Sequence, residues 1–140
     1  MIKLTFNIFL SFLGISVCLL MYSSCGPKKI TPQSQLHDSV MEIHDEVMPK
    51  MRDIHRLKKG LKNKTKEGLS ETQASQVSIL RESLERADDA MMDWMAGYNK
   101  PSEGDTEAME YLKREKEKIK IVREDMISAI TNAQNFINAQ

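Results

Sequence analysis

Six side chains that could hold a soft metal step along one stretch of the chain: His37, Met41, His44, Met48, Met51 and His55. Their spacing alternates between three and four, which places them on one stripe of an α-helix. All three histidines of the chain lie in that stripe. Imidazole and thioether are suitable ligands for Cu(I). His37 and Met41, like His44 and Met48, stand one helical turn apart, which suits two ligands to one ion. A second methionine-rich stretch, "ADDAMMDWMAGY", supplies Met91, Met92 and Met95 beside Trp94 and Tyr98, and Met109 follows.

Three roles are open to these residues. A copper-type site would use His37, Met41, His44, Met48, Met91 and Met95. A partner groove would use Met51, His55, Met92, Trp94 and Tyr98. The third role is packing. Methionine fills irregular gaps and makes sulfur–aromatic contacts that stabilise by themselves, and a histidine at a core edge can hydrogen-bond and do nothing else. Packing is the reading the sequence favours.

Other chemistry is scarcely represented. No E-x-x-H pair exists, which disfavours a di-iron centre. "HDEVM" lacks the second histidine of H-E-x-x-H. There is no G-x-S-x-G and no phosphate loop. No catalytic residue stands out, and no cofactor is expected besides the possible copper ion.

The elements that must position these side chains read as helices throughout. Alternation is absent after residue 30 and β-branched residues are sparse. A first helix is expected over about 32–59, with Pro32 in its first turn and a face of Leu36, Val40, Ile43, Val47, Ile54, Leu57 and Leu61. Gly60 weakens its end. Pro49 falls away from the apolar face, where it bends the helix toward the core. A second helix, about 70–97, opens with "LSETQA", a capping box of Ser70 and Gln73 with Leu69 stapled onto Ala74. Its face is Val77, Leu80, Leu84, Ala87, Met91, Trp94, Met95 and Tyr98. A third, about 105–139, presents Ala108, Leu112, Ile119, Val122, Met126, Ile130, Ala133 and Ile137.

Short links force antiparallel neighbours, so the fold class is all-α, an elongated antiparallel three-helix bundle running up-down-up. Folding the chain at its turns sets position 37 opposite 92 and 95 opposite 107, at 1.5 Å per residue. Such a bundle has a narrow core without a large pocket, which argues against an enzyme.

The first 24 residues differ from the rest. Lys3 is followed by an uncharged, largely apolar run and then "SSCG". A basic start, an apolar middle and small residues before a cut describe a secretory signal. With Cys25 after Ser23 and Ser24 it looks like a lipoprotein box, although Tyr22 stands where Leu, Val or Ile is commoner. The competing reading is an uncleaved membrane helix. The organisation expected is therefore a signal peptide over 1–24, lipidated Cys25 and a tether over 25–31, and the bundle over 32–140. Cys18 leaves with the signal, so no disulfide or thiolate site is expected.

Charge is balanced, 20 basic against 20 acidic side chains, so no net field suggests nucleic acid. Lys28 and Lys29 follow the cysteine where surface-exported lipoproteins carry an acidic run. The expected location is therefore the periplasm-facing side of a bacterial envelope membrane, most simply the outer one. Lys58, Lys59, Lys62, Lys64 and Lys66 crowd the first turn, as a solvated loop or a contact for acidic lipid or polysaccharide. The last 15 residues carry no side-chain charge.

On "IHDEVMPKM", "LKKGL" and "ADDAMMDWMAGY", carried by His44, Asp45, Glu46, Met48, Pro49, Met51, Asp88, Met91, Trp94 and Met95, the chain resembles a family of short bacterial lipoproteins. These often bear the automatic label "viral A-type inclusion protein", which describes no activity. "LSETQ" is similar to the L-T-x-x-Q motif of small periplasmic chaperones and metal-stress proteins, with Ser70 in place of threonine and no second copy. The function expected is non-catalytic binding of another envelope component by a lipid-anchored helical protein. Soft-metal binding or metal-stress sensing is the alternative, and a holdase-like chaperone a further one.

Overall fold

The computed structural model describes residues 30–66 and 68–139. The signal segment and Cys25, with the lipid site expected there, lie outside them. The described residues are helical, with no strand among them. None of their helices is long and apolar enough to cross a membrane.

Helix α1, Pro32–Val47, begins on a reciprocal cap that sequence inspection passed over. The Ser34 N–H donates to Thr31 Oγ1 at 3.1 Å, and the Thr31 N–H donates to Ser34 Oγ at 2.9 Å. Two N–H groups without intrahelical partners are thereby satisfied. Pro32 takes the first helical position.

The single helix expected over 32–59 is interrupted. Met48–Lys50 forms a 3-10 turn, and α2, Met51–Lys64, follows it. Pro49 has no N–H to offer the Asp45 carbonyl, so the chain tightens to i→i+3 bonding for one turn. The N–H of Met51 accordingly donates to the carbonyl of Met48.

Gly60 does not end the helix, which runs on to Lys64. It lies beside α4. A Cβ at this position would sit 3.3 Å from Ile137 Cδ1 near the other end of the chain.

Helix α3, Glu71–Gly97, opens with the expected box. The Gln73 N–H donates to Ser70 Oγ at 3.3 Å, and the Ser70 N–H donates to Gln73 Oε1 at 3.0 Å. Ala74 is exposed, and Leu69 is half-buried and packs against the core. Helix α4, Ala108–Asn138, starts later than the expected 105, because Ser102–Glu107 forms turns around Gly104, whose φ of +82° favours glycine.

The core repeats the three predicted faces closely. Val40, Val47, Ile54, Leu61, Leu84, Met91, Leu112, Ile119 and Met126 are fully enclosed. Each such side chain contributes about 1.5–3 kcal/mol by leaving water. Helix α4 packs on α1, α2 and α3, and α2 also packs on α3. The backbones of α1 and α3 approach each other far less, and long side chains fill that seam.

Two named expectations change here. Met51, assigned to a partner groove, is buried at 8 % exposure. It lies four residues after Val47 and three before Ile54, the spacing of a single helix face. Trp94, also assigned to the groove, is 7 % exposed and belongs to the same core.

Candidate functional site

The seam between α1 and α3 carries most of the residues with chemical potential. His44 lies against Trp94, ring centroids 5.7 Å apart, and His37 against Tyr98 at 6.2 Å. Trp94 stacks on Tyr98 at 4.9 Å, and Tyr98 tilts against Tyr111 at 6.1 Å. Each element has a reason for its part. Positions 37 and 44 are two turns apart on the edge of α1. Trp94 and Tyr98 are one turn apart at the end of α3, where Tyr98 turns to extended backbone. Met41 is half-buried on α1 and Met48 half-buried at the start of the 3-10 turn, while Met91 is fully buried and Met95 half-buried on α3.

The histidines are held by their neighbours in sequence. His44 Nδ1 is 2.9 Å from Asp45 Oδ1, and His37 Nδ1 is 3.4 Å from Asp38 Oδ1. Among the described residues no three His, Cys, Asp or Glu side chains are grouped so as to share a metal ion. A metal at this seam would therefore need the thioethers of Met41, Met48, Met91 or Met95 beside an imidazole.

Two predicted members are not brought in. The His55 side chain is 62 % exposed and sits 3.8 Å from Asp88 on the tighter α2–α3 seam. Met92 is 53 % exposed, being one residue, about 100° of helix, away from buried Met91. Met109 is also exposed. The levels differ from the expected ones: Tyr98, not residue 92, faces His37, and Tyr111 faces Tyr98. The cause is the longer α2, which moves the turn toward the C-terminus.

Polar groups inside this end are incompletely matched. Trp94 Nε1 and the Tyr98 hydroxyl are buried without a hydrogen-bond partner. Burial pushes the Tyr98 phenol up from its ordinary pKa, with Tyr111 and Glu115 adding to the effect. Glu115 escaped sequence reasoning. It is 4 % exposed on α4, and Lys118 donates to it at 2.7 Å from the next turn. Its position three residues after Leu112 and four before Ile119 was the available signal. Tyr111 is used as a brace, its hydroxyl accepting from the Asn99 N–H at 2.8 Å.

The outer side of α3 and α4 is grooved. One open hollow of about 310 Å³ lies among Trp94, Gly97, Glu115 and Lys118. A neighbouring one of about 470 Å³ lies among Ser83, Ala87, Ala90 and Asp125. Asp93 borders both. On α2, Lys58 reaches the carboxylates of Glu85 and Asp88. The Glu85 carboxylate beside it raises the Lys58 pKa despite some desolvation, and Lys58 in turn lowers that of Glu85.

Comparison with known proteins assigns nothing further: no family model, curated protein or solved structure matches the chain.

Proposed function

We propose that this chain is a lipid-anchored bacterial envelope protein that works by binding another envelope component, without catalysis. Its helical part is an elongated antiparallel three-helix bundle running up-down-up. Cross-links along its length support that arrangement. Gln33 Nε2 donates to the Ser102 carbonyl at 2.8 Å, Arg123 pairs with Glu46 at 3.5 Å, and Lys58 pairs with Asp88. Lipid on Cys25 would hold the bundle at the membrane, on the periplasmic side of the outer one.

The observation that carries the binding reading is where the side chains go. The Met/His stripe from His37 to Met51 is turned toward the core, while Arg52, Lys59, Asp89 and Asp93, which are in no ion pair among the described residues, face outward. Outward charge without local neutralisation is what steers and selects a partner. The test is to treat cells with a bifunctional amine-reactive crosslinker and identify what the protein holds. A recurrent adduct is expected; a protein recovered always free of any other macromolecule contradicts the reading.

A soft-metal role is the second reading, favoured by the His37 and His44 imidazoles on the α1–α3 seam and by the thioethers of Met41, Met48, Met91 and Met95 on the elements beside it. Titration of Cu(I) into the wild-type chain and into His44→Ala/Met48→Ala tests it. Binding weaker than micromolar, or unchanged in the variant, removes it.

A further inference from the structure

The core face of α2 is Met51, Ile54, Leu57 and Leu61. The rotation of 100° per residue puts Arg52, Arg56 and Lys59 on the opposite face, with Lys62 at its border. All four are exposed. Arg56 is tied to Asp53 of its own helix at 2.9 Å. Among the described residues the other three are in no ion pair. From Lys50 to Lys66 eight basic side chains stand against Asp53 alone, a surplus of seven.

An opposite surplus of the same size lies elsewhere. From Glu82 to Glu110 nine acidic side chains stand against Arg86 and Lys100. Part of it meets α2 within the molecule, through Glu85 and Asp88 on Lys58. Asp89 and Asp93 of the remainder border the α3–α4 groove of about 470 Å³. Small side chains, Ser83, Ala87 and Ala90, line that groove, and Asp89, Asp93 and Asp125 edge it. None of the three aspartates is in an ion pair among the described residues. Arg86, which also borders the groove, is taken by Glu82 at 2.7 Å.

We propose that the basic face of α2 in one copy docks into the α3–α4 groove of a second copy. The fit rests on sign, length and relief. Arg52–Lys62 and Ser83–Asp93 each span roughly 15 Å of helix at 1.5 Å per residue. The small groove residues let a second helix approach, as small side chains do wherever helices pack closely. The long Arg and Lys stems cover apolar surface while their heads reach the carboxylates at the edge. A lipid surface would answer the basic face but leave the acidic groove without a counterpart; a second copy answers both. Because α2 packs on the inner sides of α3 and α4, its outer face and their outer groove point different ways. The contact is therefore heterologous, and copies add in a row instead of closing as a pair. The proposal rests on the binding reading above and names the partner as another copy of this chain.

The test uses the full chain in detergent micelles, followed by sedimentation velocity. At about 50 mM salt the mass should grow with concentration, and about 500 mM salt should weaken association at least tenfold by screening. Arg56→Glu/Lys59→Glu and Asp89→Lys/Asp93→Lys should each weaken it about tenfold. Mixed in equal amounts, the two variants should associate again, since one keeps the groove and the other keeps the basic face. Recombination of this kind also shows that both variants are folded. A single species at every concentration overturns the proposal, as does association that neither reversal moves. Capture of the chain by anionic phospholipid vesicles while copies stay apart assigns the α2 face to lipid and overturns it too. If cell crosslinking finds a different protein and never two copies, the binding reading stands and this one falls.

Discussion

The indole of Trp94 stacks on the phenol of Tyr98, centroids 4.9 Å apart and planes 27° from parallel, and neither buried polar atom of the pair has a hydrogen-bond partner. The rings thus contribute as apolar bodies, while their N–H and O–H groups oppose folding. Removing a buried polar atom that has no partner is neutral or stabilising. Tyr98→Phe should leave the urea midpoint unchanged or raise it. Trp94→Ala should lower stability by about 3–5 kcal/mol, because it empties the seam.

The same pair sets a pH dependence. The Tyr98 pKa is raised in the fold, chiefly by burial. The folded state therefore holds that proton at pH values where the unfolded chain releases it. Its contribution is complete below the unfolded tyrosine pKa and is lost as pH rises through the folded one. Unfolding midpoints at about pH 9 and pH 11 should fall more steeply for wild type than for Tyr98→Phe.

Helix caps give a cleaner prediction, since Ser70 is exposed and its exchange disturbs no packing. Ser70→Ala should cost about 1 kcal/mol in chemical unfolding, and Thr31→Ala a similar amount. Ser70→Gly should cost only a few tenths.

Gly60 separates two opposing effects. Alanine there improves helix propensity by about 1 kcal/mol. Its Cβ would meet only the mobile end of half-buried Ile137 at 3.3 Å, which can give by a few tenths of an ångström. Gly60→Ala should therefore raise the melting temperature, and Gly60→Leu should lower it by overpacking the α2–α4 contact.

The ion pairs of Lys58 are unequal. Asp88 is only 14 % exposed, whereas Glu85 is 57 % exposed. Lys58→Ala leaves a half-buried carboxylate to be solvated poorly. It should destabilise more than Glu85→Ala, by roughly 1 kcal/mol against little. A double-mutant cycle with Asp88→Asn reads the coupling directly.

Much of this fold was legible because apolar side chains recur at helical spacing. Val77, Leu80, Leu84, Ala87, Met91 and Trp94 were identified as one face and are one buried face. Ser70 and Gln73 announced their cap. The levels were less legible, because Gly60 carries two meanings. In one dimension it reads as a helix end, and only the position of Ile137 shows it as a packing contact. The later end of α2, at Lys64 and not 59, moved His37 opposite Tyr98. Met51 and Glu115 were missed for a related reason. Residue type outweighed position: Met51 was grouped with a partner groove and Glu115 with the solvated charged face, although both sit at core spacing. Of the candidate site residues, His37 and His44 lie against Tyr98 and Trp94 across the α1–α3 seam, while the His55 and Met92 side chains are exposed. Exposure of the last two depends on which helix faces them, which spacing along one chain does not encode.

The most direct test of the central claim, that this is a binding protein acting through its outward charge, is site-specific photo-crosslinking in living cells. A photoreactive residue is placed at Lys59, at Asp93 and, as a buried control, at Met91 of the full chain. The account predicts defined macromolecular adducts from positions 59 and 93 and none from 91. Adducts absent at both outward positions, under conditions where the protein is present and folded, would contradict it.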